Sequence, residues 1–252
     1  MVVIKSPEEI KKIAKSNRLA AEIISIIKDE VRPGISTRYL NELAEKLTLE
    51  RKALPAFKGY KGFPYSICTS VNEEVVHGLP TGDPLKIGDI LSIDFGINFD
   101  GFFGDTAITV PVGQVSKTAE RLTRITRDSL YEGISKAVPG GRLSDISNAI
   151  QKYVECEGFS VVRQFVGHGI GKELHEDPQI PNWGKPGLGL KLRPGMTLAI
   201  EPMVNEKGPG VKILGDGWTA ITSDGGLSAH FEHTIAVTEK GPVILSTNDN
   251  GI

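Results

Sequence analysis

The chain is 252 residues long, enough to bury a sizeable core as one large α/β domain or as two closely packed halves. Its 29 basic and 31 acidic residues balance, so composition carries no global signature of a nucleic-acid or membrane partner. Two cysteines, Cys68 and Cys156, without a CxxC pair exclude a disulfide scaffold and give no hint of a structural zinc site; the start turns polar too soon for a signal peptide and no apolar run is long enough for a bilayer, so a soluble cytoplasmic protein is expected.

Ser6-Pro7-Glu8-Glu9 reads as a capping box with proline at the first helical position. The helix it opens carries Ile10, Ile13, Ala14, Ala20, Ala21, Ile24 and Ile27 on one side and stops at Arg32-Pro33-Gly34. A second amphipathic helix is expected over roughly 36–52, with Leu40, Leu43, Ala44 and Leu47 inward. Both read as cover for a sheet. From Leu54 to Pro80 glycine and proline punctuate Phe57, Tyr60 and Phe63, and a short strand near Ile67-Cys68-Thr69 leads to His77-Gly78. Aromatics placed this way either pack a loop onto the core or line an apolar pocket.

The stretch 86–113 predicts two strands joined by a two-residue turn at Asp100-Gly101. With those residues as the loop, cross-strand partners have numbers summing to 201. Asp94 then faces Ala107, and Asp105 lies one diagonal step away, about 7–8 Å at the backbone. Both acids share a face; Ile93, Phe95 and Ile97 hold the other. Ser92, Gly96 and Ala107 leave room around them. Taken alone, the pair fits either two solvated carboxylates or two ligands of a cation, and the hairpin does not decide between them.

Beyond the hairpin, Ser116 opens a long helix through Leu122, Ile125, Leu130 and Ile134, ending at Val138-Pro139-Gly140. Ser144 or Asp145 is the expected cap of a shorter helix through Ile146, Ile150 and Val154. A strand is expected around Phe159 to Phe165, then a loop Gly167-His168-Gly169-Ile170-Gly171, then His175. The last segments are Pro194 to Glu201, a glycine-rich run to Trp218, and Ser228 to Ile235.

The chain also repeats itself. Pro33-Gly34 between helices recurs as Pro139-Gly140; His77-Gly78-Leu79 as His168-Gly169-Ile170; and the run ending in Asp94 as the run ending in Glu201. Asp105-Thr106 has a looser echo in Glu232 near Thr234. Such a duplication predicts two halves, about 1–115 and 116–252, related by a pseudo-twofold, with acidic strands meeting in the middle. Four crowded carboxylates cannot all stay ionised without cations. Two divalent ions balance their charge, and oxygen-rich ligation with one or two histidines suits Mn, Fe, Co or Zn about 3.5–4 Å apart.

His77, the Asp94/Asp105 pair eleven apart, GHGIG at 167–171, His175, IEPMV at 200–204 and FEHT at 231–234 together resemble the type I methionine aminopeptidases over nearly the whole chain. The resemblance implies an α+β pita-bread fold in a single catalytic domain, residues 1–252, with an antiparallel sheet covered by helices. It implies that Asp94, Asp105, His168, Glu201 and Glu232 ligate two metals, with Asp105 and Glu232 bridging. It implies removal of N-terminal methionine from nascent proteins with a small second residue, by a metal-bridged hydroxide attacking the first peptide bond. Glu201 would shuttle the proton, His175 would steady the amide and developing oxyanion, and His77 would contact the substrate backbone or leaving nitrogen. The methionine pocket would comprise Tyr60, Phe63, Cys68 and Trp218, a soft apolar slot for a thioether. Phe57 and Leu174 depart from the family's usual cysteine and aromatic there. A monovalent cation is expected near Asn72 and Ser228. Glu201 and Glu232 are only thirty-one residues apart, which leaves no room for the helical insert of type II enzymes and points to the minimal bacterial form. Such enzymes imply transient ribosome association, a monomer, no nucleic-acid specificity and no membrane contact. Prolidases and aminopeptidase P share the fold but carry an extra N-terminal domain, and a non-catalytic binding protein on this fold would be expected to have lost ligands.

Overall fold

Two long strands, Ile90–Phe99 and Phe102–Pro111, pair antiparallel in the register read from the hairpin, with Asp94 opposite Ala107 and Gly96 opposite Asp105. Asp100 and Gly101 turn the chain with φ of 55° and 78°, the left-handed pair that a two-residue turn of this hand requires. The computed structural model describes residues 2–247.

These strands belong to a nine-stranded antiparallel sheet, numbered here in chain order: β1 Leu54–Pro55, β2 Cys68–Val71, β3 Ile90–Phe99, β4 Phe102–Pro111, β5 Gly167–Gly169, β6 Glu176–Ile180, β7 Thr197–Ile200, β8 Glu232–Thr238 and β9 Gly241–Ile244. Its order is β1-β3-β4-β8-β7-β5-β6, with β2 also on β3 and β9 on β8. The β3-β4 pair of the first half meets the β8-β7 pair of the second at the β4-β8 seam, where Ala107 faces Glu232 and Thr106 faces His233. The duplicated acidic strands therefore sit side by side at the centre, as the repeat predicts. Two smaller three-stranded sheets complete the strand set among the described residues.

Four helices cover the sheet: α1 Pro7–Glu30, α2 Thr37–Glu50, α3 Lys117–Ser135 and α4 Leu143–Cys156. The first helix starts with the expected capping box, Ser6 Oγ accepting from Glu9 N–H and Glu9 accepting from Ser6 N–H. Helices α1 and α2 bury Ala20, Ile23, Ile27, Leu40 and Ala44 against Leu91, Ile93, Phe95 and Ile97, the face of β3 opposite Asp94. In the second half α3 and α4 bury Leu122, Ile125, Ile146 and Ile150 against Leu198, Ile200 and Ile235. Helices therefore back one side of the sheet, and the acids point from the other.

Three local expectations need correction. The cap of α4 is Arg142, two or three residues earlier than expected: the Asp145 carboxylate accepts from Arg142 N–H at 2.8 Å and from Gly187 N–H at 2.7 Å, and Ser144 Oγ donates to Leu188 O, so these polar side chains tie the helix start to a distant loop. The strand expected over 159–165 contracts to Ser160–Val161. Residues 167–169 form a strand instead of a loop, His168 facing Ala199. The glycines there serve close approach: a Cβ on Gly167 would lie 2.4 Å from Ala199 O, and one on Gly169 2.1 Å from Asp177 O.

Candidate metal centre

Asp94, Asp105, His168, Glu201 and Glu232 line one cavity of about 280 Å³, together with His77, His175 and the residues of the aromatic segment. Strand register explains the convergence. Asp94 on β3, Ala107 on β4 and Glu232 on β8 form one row across the sheet, with Asp105 a diagonal step away on β4. Glu201 follows directly on β7, one step past the His233–Ile200 pair. His168 on β5 faces Ala199 across the other edge of β7. A donor atom from each of Asp105, His168 and Glu232 lies within 4.8 Å of the other two, and all three residues are buried. His168 Nε2 is 3.8 Å from Asp105 Oδ2 and 3.6 Å from Glu201 Oε1.

The seam between the halves is stitched symmetrically. Thr106 Oγ1 donates to the Glu232 carbonyl and Thr234 Oγ1 to the Asp105 carbonyl, each at 3.0 Å. The looser sequence echo of Asp105-Thr106 in Glu232 and Thr234 is thus a reciprocal pair of hydrogen bonds that sets the two central acids against each other. On the first-half side, Asn17 Oδ1 from α1 accepts from Asp105 N–H at 3.2 Å while its Nδ2 donates to Ile13 O.

The electrostatics call for positive charge. Burial raises all four carboxyl groups: Asp94 to about 7 against the pull of His230, Glu201 to about 7 against that of His168, and Asp105 and Glu232, with neighbouring acids adding to burial, well above their ordinary range. Asp94 Oδ1 and Glu232 Oε1 are buried without any hydrogen-bond partner. His168 Nδ1–H donates to Gly169 O at 2.9 Å, which leaves the Nε2 lone pair facing the acids. Orphaned carboxylate oxygens, a histidine presented as its ligating tautomer and an acidic crowd with no lysine or arginine paired to it among the described residues fit divalent cations of the nitrogen- and oxygen-binding kind.

Around this acidic floor the remaining candidates form the walls. Phe57, Phe63, Cys68 and Leu174 are buried in one cluster, with Tyr60 and Trp218 packed against it. Phe63 and Trp218 meet edge to face at 5.2 Å. The aromatic segment therefore lines a pocket, and Phe57 and Leu174 belong to its wall. Burial pushes the Cys68 thiol well up, with Asp94 and Asp105 adding to it, so the sulfur stays neutral. His175, at the open edge, takes Tyr60 Oη at Nδ1 (2.9 Å), stacks on that ring, and lies 4.3 Å from the His168 ring. Desolvation, His168, Lys61 and His77 push its pKa down, an effect that solvent screening moderates for so exposed a ring. His77 adopts φ 60°, a left-handed conformation uncommon outside glycine, and its ring meets Phe165 edge-on; burial lowers its pKa to about 4. Asn72 and Ser228 sit together on the neighbouring edge, Ser228 N–H donating to Asn72 O at 2.8 Å.

Two residues escaped the sequence reading. His230 is fully buried, 3.5 Å from Glu201 Oε2; its signal was only a histidine two residues before an acidic motif. Asn17 reads as one polar residue in an apolar helix stripe, and nothing in the sequence ties it to Asp105.

Residues 11–239 match the model of metallopeptidase family M24. A protein of Clostridium perfringens named methionine aminopeptidase is 52% identical over 246 residues, covering 98% of this chain and 99% of that protein. The relative of the same name from Escherichia coli is 46% identical over 247 residues, covering 97% of this chain and 94% of that protein. The crystal structure of methionine aminopeptidase from Thermotoga maritima superposes with a TM-score of 0.96 at 48% identity, covering 98% of this chain and all of that one. The prolidase of Pyrococcus horikoshii, at 22% identity, TM-score 0.80 and coverage of all of this chain and 65% of its own, shares the pita-bread fold alone.

Proposed function

Because this chain belongs to metallopeptidase family M24, among its methionine aminopeptidases, and so performs metal-dependent removal of N-terminal methionine, we propose which of its residues do the work. Asp94, Asp105, His168, Glu201 and Glu232 would hold two divalent ions. When bound, the ions supply Lewis acidity that polarises the scissile carbonyl and acidifies water. The manganese, iron, cobalt and zinc ions all suit this donor set. The ligands come from both halves of the repeat, which supports treating 1–252 as one catalytic unit.

The chain's own groups then account for the remaining chemistry. Glu201, buried at the cavity floor between His168 and His230, takes a proton from the attacking water and returns it to the leaving amine. His175, held through Nδ1 by Tyr60, turns Nε2 toward the scissile amide and steadies its developing oxyanion. His77 meets the substrate backbone or the departing nitrogen. The α-amino group sits at the Asp94 end, which restricts cleavage to the first residue. Tyr60, Phe63, Cys68 and Trp218 take the methionine side chain, with Phe57 and Leu174 narrowing the slot. A small second residue is required because a large one crowds the entrance. Nascent polypeptides are the substrates; transient ribosome contact, a monomeric state, a cytoplasmic location and a monovalent cation beside Asn72 and Ser228 belong to the same proposal. Among the described residues no helix is long and apolar enough to cross a membrane.

The observation that carries this reading is a five-residue ligand set, drawn from both halves, on the floor of an apolar aromatic slot. Hydrolysis of Met-Ala-Ser with added Mn²⁺ or Co²⁺, set against Xaa-Pro peptides, tests it. Methionine release that disappears in Asp105→Asn is expected. No release with any metal, or release unchanged in ligand variants, refutes the assignment.

A further inference from the structure

We propose that His230 is a positioning residue for Glu201: its Nε2–H holds Oε2 of that carboxylate so that Oε1 stays turned toward His168 and the cavity. The inference rests on the metal centre proposed above and adds a residue to it. His230 is 1% exposed, and its Nε2 has no ordinary hydrogen-bond partner; the nearest acidic atom is Glu201 Oε2 at 3.5 Å. On the other side of the same carboxylate, His168 Nε2 lies 3.6 Å from Oε1. Among the described residues the two imidazoles are the only groups paired with the Glu201 carboxylate. The backbone of Glu201 is held separately, by Asn182 Nδ2 donating to its carbonyl at 3.0 Å.

The placement of His230 is over-determined. Thr109 Oγ1 donates to the His230 carbonyl at 2.8 Å and accepts from its N–H at 2.9 Å, and the same hydroxyl pairs with Ser92 Oγ. On the far side, strand pairing sets His230 opposite Met203, two residues beyond Glu201. A purely structural residue in so tight a spot would serve better as an apolar side chain, since burying an unpartnered ring nitrogen is unfavourable. A glutamate that must both hold an ion and carry a proton needs its two oxygens distinguished. A donor on one of them does that, as hydrogen bonds to ligating carboxylates commonly do.

The test is calorimetric titration of chelator-stripped protein with MnCl₂, with the visible absorption of the Co²⁺-loaded protein as a second readout. His230→Leu is expected to weaken Mn²⁺ binding about 10- to 100-fold and to change the Co²⁺ spectrum. His230→Gln, which offers an N–H donor at similar reach, is expected to restore binding to within about threefold and to return the wild-type spectrum. Should leucine prevent folding, His230→Met is the apolar replacement of similar reach. Apolar variants that bind Mn²⁺ like wild type, or a glutamine variant as weak as the apolar ones, overturn the proposal. If wild type takes up no more Mn²⁺ than Asp105→Asn, the metal centre itself fails, which is a separate result.

Discussion

Lys5→Met tests how the segment before α1 governs the active-site rim. Lys5 Nζ lies 2.6 Å from Glu176 Oε2, with the two side chains 4% and 11% exposed, and Lys5 N–H donates to Gly195 O. Glu176 follows His175 in the chain, and its Oε1 also accepts from Lys172 N–H at 2.9 Å. The wrap is close: a Cβ on Gly171 would lie 2.6 Å from Glu176 Oε1 and 2.7 Å from Lys5 Cε. Removing one partner of a buried ion pair costs about 3–5 kcal/mol because the other charge is stranded. Glu176 keeps its backbone donor, so the lower end applies, about 3 kcal/mol. In a chain of this size that is a fall of roughly 6–12 °C in Tm. Urea denaturation of the metal-free protein measures it. The double variant Lys5→Met/Glu176→Gln, which also removes the stranded charge, is expected to recover more than half of the loss. A single variant within about 0.5 kcal/mol of wild type, or a double variant whose loss equals the sum of the two singles, would refute the buried-pair argument.

Glu201→Gln is expected to retain measurable Mn²⁺ uptake yet lose most turnover, because an amide cannot carry the proton; unchanged kcat on Met-Ala-Ser would remove its shuttle role. Gly96→Ala places a Cβ 2.8 Å from Phe57 Cε1 and 3.2 Å from Asp105 Oδ1, so slot and acid must both give way. A cost of about 1–3 kcal/mol with weaker metal binding is expected, and wild-type calorimetry would contradict it. The metal-free protein has opposed pH dependences. Carboxyls raised by burial to about 7 (Asp94, Glu201) keep protons that the unfolded chain loses near pH 4, so their contribution to folding is full below about pH 4 and is lost as pH rises from there through about 7. Histidines lowered by burial, His77 and His233 to about 4, favour folding above 6.5 and lose that contribution as pH falls toward 4. Thermal melts of the metal-free protein should therefore fall between about pH 6.5 and about pH 7.5, and saturating Mn²⁺ should abolish the fall; a metal-free Tm that rises over this interval would defeat the account.

Much of this molecule is local enough to read from residue order. Asp100-Gly101 can close only one kind of turn, and that turn sets every pairing from Ile90–Pro111 to Phe99–Phe102, Asp94 opposite Ala107 included. Ser6 and Glu9 cap α1 because both partners lie within one turn. The repeat likewise predicts acidic strands from two halves meeting in the middle, and the motifs around Asp94, Asp105, His168, Glu201 and Glu232 carry the resemblance to the methionine aminopeptidases before any coordinate. Period-2 and period-3.6 patterns are properties of neighbours in sequence, so sequence alone determines them.

Relations between distant segments, by contrast, emerge only once the chain is packed. Gly167 and Gly169 suggest a loop until Ala199 O and Asp177 O are seen pressing where side chains would be. Asp145 resembles a helix cap until Gly187 arrives to share it. Asn17 and His230 carry no motif, because their partners, Asp105 and Glu201, lie 88 and 29 residues away. Local chemistry specifies which face each acid occupies; chain packing alone settles which groups then reach its oxygens, since hydrogen bonds and close contacts act over a few ångströms and ignore separation along the chain.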